Sequence, residues 1–404
     1  MTAGNGSTAD RWLAILVLSA TWACYLPVGA KYATVLPAAI CAAVVAWRRR
    51  DQFPVSQWPG LLPGAVLLSL LALSAAWSPA PWTAIASHLG LYALVLVVPL
   101  IGTTCPAATA RVALQHFVVA AAGVGLLVAA ATLDLLPASP LWRSTIDAQG
   151  NQRIANSILL ALATVLALHF GWHAGGAARL RWLLAASACA LGLALQDRRS
   201  GMLLLPLLLM SWAVFGQRKG WQRLALVAAI VVSALVIGHS ADGVRGRFAE
   251  GLAELKRYVP DDHVSTSWGQ RLRMWELTGA MVAERPLLGH GAASWEGLWR
   301  HRVVANTPLA ANSTPHNEYL LILQQAGVLG GAAWLWLLLS NARQAVTGGP
   351  AGLPMLMVWL TIAWTGVFNV VLRDARFSLP LLLLAALALA ATRLPMIASP
   401  RPTA

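Results

Sequence analysis

Charge is what this chain of 404 residues has least of: 11% of its side chains are Asp, Glu, Lys or Arg, against about a quarter in a soluble domain. Too few water-binding groups are present to cover a free globular enzyme. Acids are scarcer still, 15 against 29 Lys and Arg. That excludes both a carboxylate cage for a divalent metal and the run of intramembrane acids that marks a proton-coupled transporter. Asp134, near a span end, is the main intramembrane candidate, and Asp261-Asp262 reads more readily as a turn than as a metal site. Cysteine is limited to Cys24, Cys41, Cys105 and Cys189, in or beside apolar runs and without C-x-x-C spacing, so neither a disulfide framework nor a zinc site is indicated. The Gly-rich Walker loop, H-E-x-x-H and G-x-S-x-G are all missing.

What remains is apolar. The composition is 58% hydrophobic with a mean hydropathy of +0.65. Runs long enough to span a bilayer occur at 12–30, 32–47, 60–77, 83–101, 112–136, 154–171, 180–196, 201–216, 223–239, 317–340, 352–371 and 377–394. The expectation is an all-α polytopic membrane protein of about twelve helices, because barrel strands would be short and alternating. It divides into membrane helices over 1–239, a polar loop domain over 240–315, and further membrane helices over 316–404. The polar N-terminus has no cleavage signature and reads as leading into a retained first helix.

Arginine and lysine in the short loops, at 47–50, 111, 179–181, 218–223, 343 and 393, put those loops and both termini in the cytoplasm and the 240–315 segment on the other side. The net charge of +14 is dispersed over these loops, which argues against a nucleic-acid partner and for acidic membrane lipids. Many of the 19 tryptophans, Trp12, Trp58, Trp77, Trp82, Trp172, Trp182 and Trp221 among them, fall at span ends as interface anchors.

The 240–315 segment carries helical spacing over Val244 to Tyr258 and Gln270 to Glu284, with Val259-Pro260-Asp261-Asp262 turning between them. It predicts a compact helical domain packed on the bundle. Around it, arginines sit at the mouths of outward-facing helices. Gln196-Asp197-Arg198-Arg199-Ser200-Gly201 is a tight turn in which Ser200 can cap the next helix and two guanidinium groups meet a helix N-terminus, a setting for an anion. Pairing of one arginine with Asp197 and snorkelling of the other is the structural alternative. Arg271 and Trp275 lie one turn apart on one face, with Arg273 pointing elsewhere. Arg271 can reach a phosphate while Trp275 packs, or can stack on Trp275. Arg153 and Arg373-Asp374-Ala375-Arg376 lie at two more helix ends, where snorkelling or a local ion pair is the plainer reading. His316, after Pro315 and with Ser313 and Thr314 available as caps, opens an apolar helix. A neutral imidazole there can accept a proton, or can serve as a hydrogen-bonded structural residue. His263 and His290 read as solvated or structural.

Taken in order, Arg198-Arg199-Ser200-Gly201, Ser267-x-x-x-Arg271-x-x-x-Trp275, Arg285-Pro286-Leu287-Leu288-Gly289-His290-Gly291 and His316-Asn317-Glu318-Tyr319-Leu320 resemble the O-antigen ligase and polymerase superfamily of bacterial membrane glycosyltransferases, over roughly residues 150–330. The resemblance implies a membrane glycosyltransferase of the GT-C-like class at the periplasmic face of the inner membrane, active in lipopolysaccharide biosynthesis. It would move a glycan from undecaprenyl diphosphate to a sugar hydroxyl of the lipid A–core oligosaccharide, with no cofactor. By the same resemblance His316 is the catalytic base, and Arg198 or Arg199, together with Arg271, binds the diphosphate. Arg153 is a further diphosphate candidate, and Trp275, Asn317 and Tyr319 are supporting residues.

Residue chemistry agrees: guanidinium groups can neutralise a departing diphosphate without a metal, and a histidine can deprotonate the acceptor hydroxyl. An O-antigen polymerase or a protein O-oligosaccharyltransferase would use the same residues, the ligase being favoured because the large loop ends directly at His316. A lipid-linked glycan flippase, the non-enzymatic alternative, would require a polar path through the spans that the sequence hardly offers.

Overall fold

The computed structural model describes residues 8–137, 151–196, 198–216, 220–224, 226–228, 230 and 242–393. Among these residues there are helices and no strands. The first half of the bundle comprises α1 (Thr8–Ala23), α2 (Val28–Arg48), α3 (Leu61–Ser74), α4 (Trp82–Ala93), α5 (Val97–Thr104) and α6 (Ala107–Thr132). It continues with α7 (Asn151–Trp172), α8 (Gly176–Gln196) and α9 (Arg199–Phe215). The polar segment forms α10 (Asp242–Lys256), α11 (Ser267–Glu284) and α12 (Trp295–Arg300). The chain then returns through α13 (Glu318–Thr347), α14 (Gly349–Phe368) and α15 (Ala375–Ala391).

Seven of these units are long and apolar enough to cross a membrane, α4 and α5 counting as one stretch from Trp82 to Thr104; three shorter apolar helices accompany them. This is a multi-pass membrane protein. Of the twelve expected spans, the run at 223–239 falls largely outside the described residues. The run expected at 12–30 is cut at Ala23, because Pro27 lacks an amide hydrogen and stands at the N-cap of α2. α7 and α15 are buried almost end to end and form the centre around which the other helices pack. The basic ends tie down locally: Arg49 pairs with Asp10, and Arg393 donates to the carbonyls of Thr103 and Cys105.

The 242–315 segment does pack on the bundle. Thr266 caps α11 by accepting from the Gly269 amide at 3.2 Å. Met274 and Met281 of α11 close with Trp295, Trp299 and Leu309 onto Leu321 of α13 and Val370. Trp295 and Trp299 stack at 4.8 Å, and their indole N–H groups reach Thr278 and Leu309. These tryptophans are therefore core. Trp12, Trp82 and Trp221, in contrast, are more than half exposed, as interface anchors would be.

α13 is broken. Gly327 sits at φ 63°, ψ −160°, which removes the local i→i−4 bonds and would strand polar backbone inside an apolar bundle. The segment after α11 repairs the gap. Val328 N donates to Pro286 O at 2.8 Å, His290 N to Gln324 O at 2.8 Å, and Gly291 N to Gln325 O at 2.9 Å. A Cβ on Gly327 would stand 2.1 Å from Leu287 O. The Arg285–Gly291 motif is thus a backbone splint, and His290, buried with Nε2 2.8 Å from Met281 O, belongs to it as a structural residue.

Candidate active site

At the end of the bundle that carries the polar segment, Arg198, Arg199, Ser200, Ser267, Trp268, Arg271, Ile154, Leu203 and Phe368 enclose a cavity of about 180 Å³. Four helices supply it: α7 from below, the α8–α9 turn, the first turn of α11 and the end of α14. The α8–α9 turn is tighter than a Ser200 cap requires. α9 starts at Arg199, with Arg198 in the N-cap position and no side-chain cap, so Ser200 lies inside the first turn. Asp197, the expected local partner, lies outside the described residues. Arg199 instead pairs with Glu250 at 2.8 Å and Glu254 at 3.6 Å, both on α10.

Arg271 bends back along its own helix, donating from Nη1 to Ser267 O at 3.2 Å and to Ser267 Oγ at 2.5 Å, while its buried Nε has no partner. Burial, then the like charge of Arg199, push its pKa down, with Glu254 opposing. No acid pairs with it among the described residues, so it has spare capacity for an anion. Arg273 does point elsewhere, to Asp262 at 3.0 Å and Glu276 at 3.2 Å. Asp262 also accepts from Val304 N at 2.9 Å, and Asp261 closes a turn on His263 N at 3.1 Å. Both acids are thereby given backbone work.

Trp275, one turn beyond Arg271, donates to Pro315 O at 3.2 Å and leans on Phe368 with ring centroids 6.2 Å apart. That bond carries the arginine pocket across to His316, which is not itself in the cavity lining. His316 has φ 50°, a left-handed conformation uncommon outside glycine and a form of strain concentrated at working sites. The helix behind it begins later than its position suggests. Asn317, and neither Ser313 nor Thr314, is the cap, its Oδ1 accepting from Leu320 N at 3.0 Å. His316 therefore projects ahead of the helix instead of lying in its first turn. Its Nδ1 is buried without a partner. Burial, then the Arg271 charge, lower its pKa from 6.5 to about 4 against the pull of Asp374. The ring is neutral and unengaged.

Sequence reasoning passed over the carboxylate two residues on. Glu318 is fully buried, accepts from the Tyr92 hydroxyl of α4, and takes the Leu372 amide at 2.8 Å as well as that of Arg373. It staples the α14–α15 connection to the start of α13. Asp374 in that connection caps α15 through Arg376 N at 2.9 Å and accepts from Asn151 at 2.8 Å; its contact with the Arg376 side chain, at 3.3 Å, is the expected local pair. Lys31, also overlooked, is buried and donates to Gln152 at 3.4 Å and Arg376 O at 3.2 Å. Arg153 leaves a buried, unpartnered Nε on α7, beside Ile154 of the cavity wall but not in the lining. Tyr319 donates to Ala363 O at 3.0 Å, which binds α13 to α14, and meets Trp334 of its own helix edge-on.

Comparison with known proteins covers this same region. A family described as O-antigen ligase matches residues 183–335, from α8 through the arginine turn, the polar segment and His316 to beyond the break in α13. An uncharacterized protein of Haemophilus influenzae (strain ATCC 51907 / DSM 11121 / KW20 / Rd) is 26% identical over 166 residues, 35% of this chain and 41% of the relative. The alignment thus covers less than half of that protein's length. The segment 183–335 of this multi-pass chain, which holds Arg198, Arg199, Arg271 and His316, is thus similar to the O-antigen ligase family.

Proposed function

We propose that the protein is an O-antigen ligase, transferring a polysaccharide from undecaprenyl diphosphate to a sugar hydroxyl of the lipid A–core oligosaccharide at the periplasmic face of the inner membrane. The observation that carries this reading is a neutral, strained, unengaged histidine beside an arginine pocket at the mouth of a membrane bundle. Membrane placement suits a donor whose prenyl chain lies among apolar helices and whose diphosphate stays at the edge.

In the reaction His316 takes the proton of the acceptor hydroxyl as its oxygen bonds to the anomeric carbon. The bond from that carbon to the diphosphate oxygen breaks on the opposite side, the electron pair leaves with the diphosphate, and configuration inverts. Arg271, with Arg198 or Arg199, receives the growing negative charge, a task for guanidinium groups in a site largely closed to water. No metal is required by this scheme. Trp275 and Asn317 hold the base in place, the first through Pro315 O and the second by starting α13 directly behind it.

The test is deletion of the gene in its host followed by analysis of lipopolysaccharide and of the lipid carrier. Complete polymer accumulating on undecaprenyl diphosphate, with bare core oligosaccharide, is the expected result. Absence of polymer identifies a polymerase instead, and normal lipopolysaccharide with loss of a protein-linked glycan identifies a protein O-oligosaccharyltransferase.

A further inference from the structure

Two residues that line the arginine pocket are held from outside it by carboxylates of α10. α10 contacts Arg199 and Trp268 but contributes no residue to the pocket lining. Glu250 and Glu254, one turn apart on the same face, reach Arg199 Nη2 at 2.8 and 3.6 Å, and Glu254 also accepts from Trp268 N at 3.0 Å. Gly251 lies between them. A Cβ there would stand 3.2 Å from Trp268 Nε1 and 3.3 Å from Arg199 Nη1, so the absence of a side chain lets the helix backbone settle on the guanidinium. Leu252 and Leu255, two apolar residues of α10, contribute less to this hold, being 53% and 40% exposed.

We propose that Glu250 and Glu254 set the specificity of the pocket, excluding singly charged phosphodiester lipids and yielding to a doubly charged diphosphate. The inference rests on the reading of the pocket as the diphosphate site. An arginine cluster at a membrane surface is bathed in phospholipid headgroups, most of them phosphodiesters with at most one net negative charge, at concentrations far above any lipid-linked glycan. A pocket whose guanidinium groups had no competing carboxylates would be occupied by them. The two carboxylates bring two negative charges to Arg199, at the edge of a pocket that Arg198 and Arg271 also line. A diphosphate diester replaces both carboxylates charge for charge. A phosphodiester headgroup cannot, and leaves one more guanidinium uncompensated in a partly desolvated site, which is unfavourable. When the dianion enters, α10 releases Arg199 and its carboxylates return to water, where their solvation offsets the lost pairs. Specificity therefore comes from a repulsive element against the abundant competitor as well as from attraction to the donor.

The test uses the full chain in nanodiscs of phosphatidylcholine or of phosphatidylglycerol, with a glycosyl polyprenyl diphosphate as the probe. Binding is compared for the unaltered protein, the Glu250→Gln/Glu254→Gln double variant and Arg271→Lys. Exposed and half-buried ion pairs of this kind hold back a competitor by roughly tenfold in total. In phosphatidylcholine the double variant binds the probe at least as tightly as the unaltered protein. In phosphatidylglycerol its apparent affinity falls about tenfold more. Surface potential acts on both proteins alike and cancels in the comparison. Equal sensitivity to phosphatidylglycerol in the two proteins overturns the proposal, as does weaker binding by the double variant in phosphatidylcholine, which would make the carboxylates part of the binding surface. Undiminished probe binding by Arg271→Lys instead sends down the underlying assignment of the pocket, a separate failure with its own signature.

Discussion

The acid limb of the transfer reaction follows from the surroundings of His316. Burial and the Arg271 charge both disfavour the imidazolium and bring the ring from 6.5 to about 4. At pH 5.5 a ring titrating near 4 is roughly 97% neutral, whereas one titrating near 6.5 is about 9% neutral. The two cases differ about tenfold in available base. The profile of kcat/KM, which reports the free enzyme, is therefore expected to stay flat down to about pH 5 and to fall with a midpoint near 4. A diphosphate diester keeps its charge throughout this range, so the donor does not contribute to the limb. Removing the cation in Arg271→Gln should move the midpoint upward, because a positive neighbour suppresses protonation. Removing the anion in Asp374→Asn should move it downward. The measurement is initial-rate transfer with purified protein, donor and acceptor from about pH 3 to pH 8, the range a midpoint near 4 requires, with stability checked at each pH by return to neutral. A midpoint near 6.5 in the unaltered protein, or no movement in Arg271→Gln, would refute the account of His316 as a base kept neutral by its surroundings.

His316→Ala should lower turnover by about 10²–10⁴-fold while the affinity for undecaprenyl diphosphate stays close to that of the unaltered protein; equal losses of both would recast the residue as a phosphate contact. Arg271→Lys should be strongly impaired although charge is retained, because an ammonium cannot present a two-point contact to phosphate, and full activity in this variant would move phosphate recognition elsewhere. Excess EDTA should leave transfer largely intact; loss restored by magnesium would return attention to Asp261 and Asp262. Gly327→Ala should destabilise the protein by about 3 kcal/mol or more, from left-handed strain and displacement of the splint, read as a lowered thermal midpoint in detergent, and an unchanged midpoint would mean that α13 straightens without loss.

The apolar helices were legible because length and composition decide them: a run of Leu, Ala and Val long enough to cross a bilayer has few other stable forms. Their ends were less so. Ser200 and Ser313 carry good cap chemistry, yet Arg198 and Asn317 hold the N-cap positions, because the turns around them are fixed by contacts far away in sequence. The break at Gly327 is invisible in a hydropathy pattern, since glycine among apolar residues neither raises nor interrupts the run. Glu318 was overlooked as an acid for a similar reason: its partners come from Tyr92 and from the connection at 372–373, and nothing local marks it. The arginines and His316 stood out as polar groups at helix mouths, but the pairing of Arg199 with α10 depends on a fold of the polar segment that no spacing expresses.

The splint and the Trp275 bond together have a mechanical consequence. α11 is stitched to the α13 region twice, from its middle by Trp275 to Pro315 just ahead of α13 and after its end by the 286–291 backbone. Arg271 and His316 therefore ride on one connected α11–α13 unit. Arg198 and Arg199 ride on another, at the junction of α8 and α9. Glu254 of α10 bridges the two, pairing with Arg199 and accepting from Trp268 N, so a change in α10 alters the spacing between the arginine turn and Arg271 while the Trp275–Pro315 bond still ties the helix of Arg271 to the base.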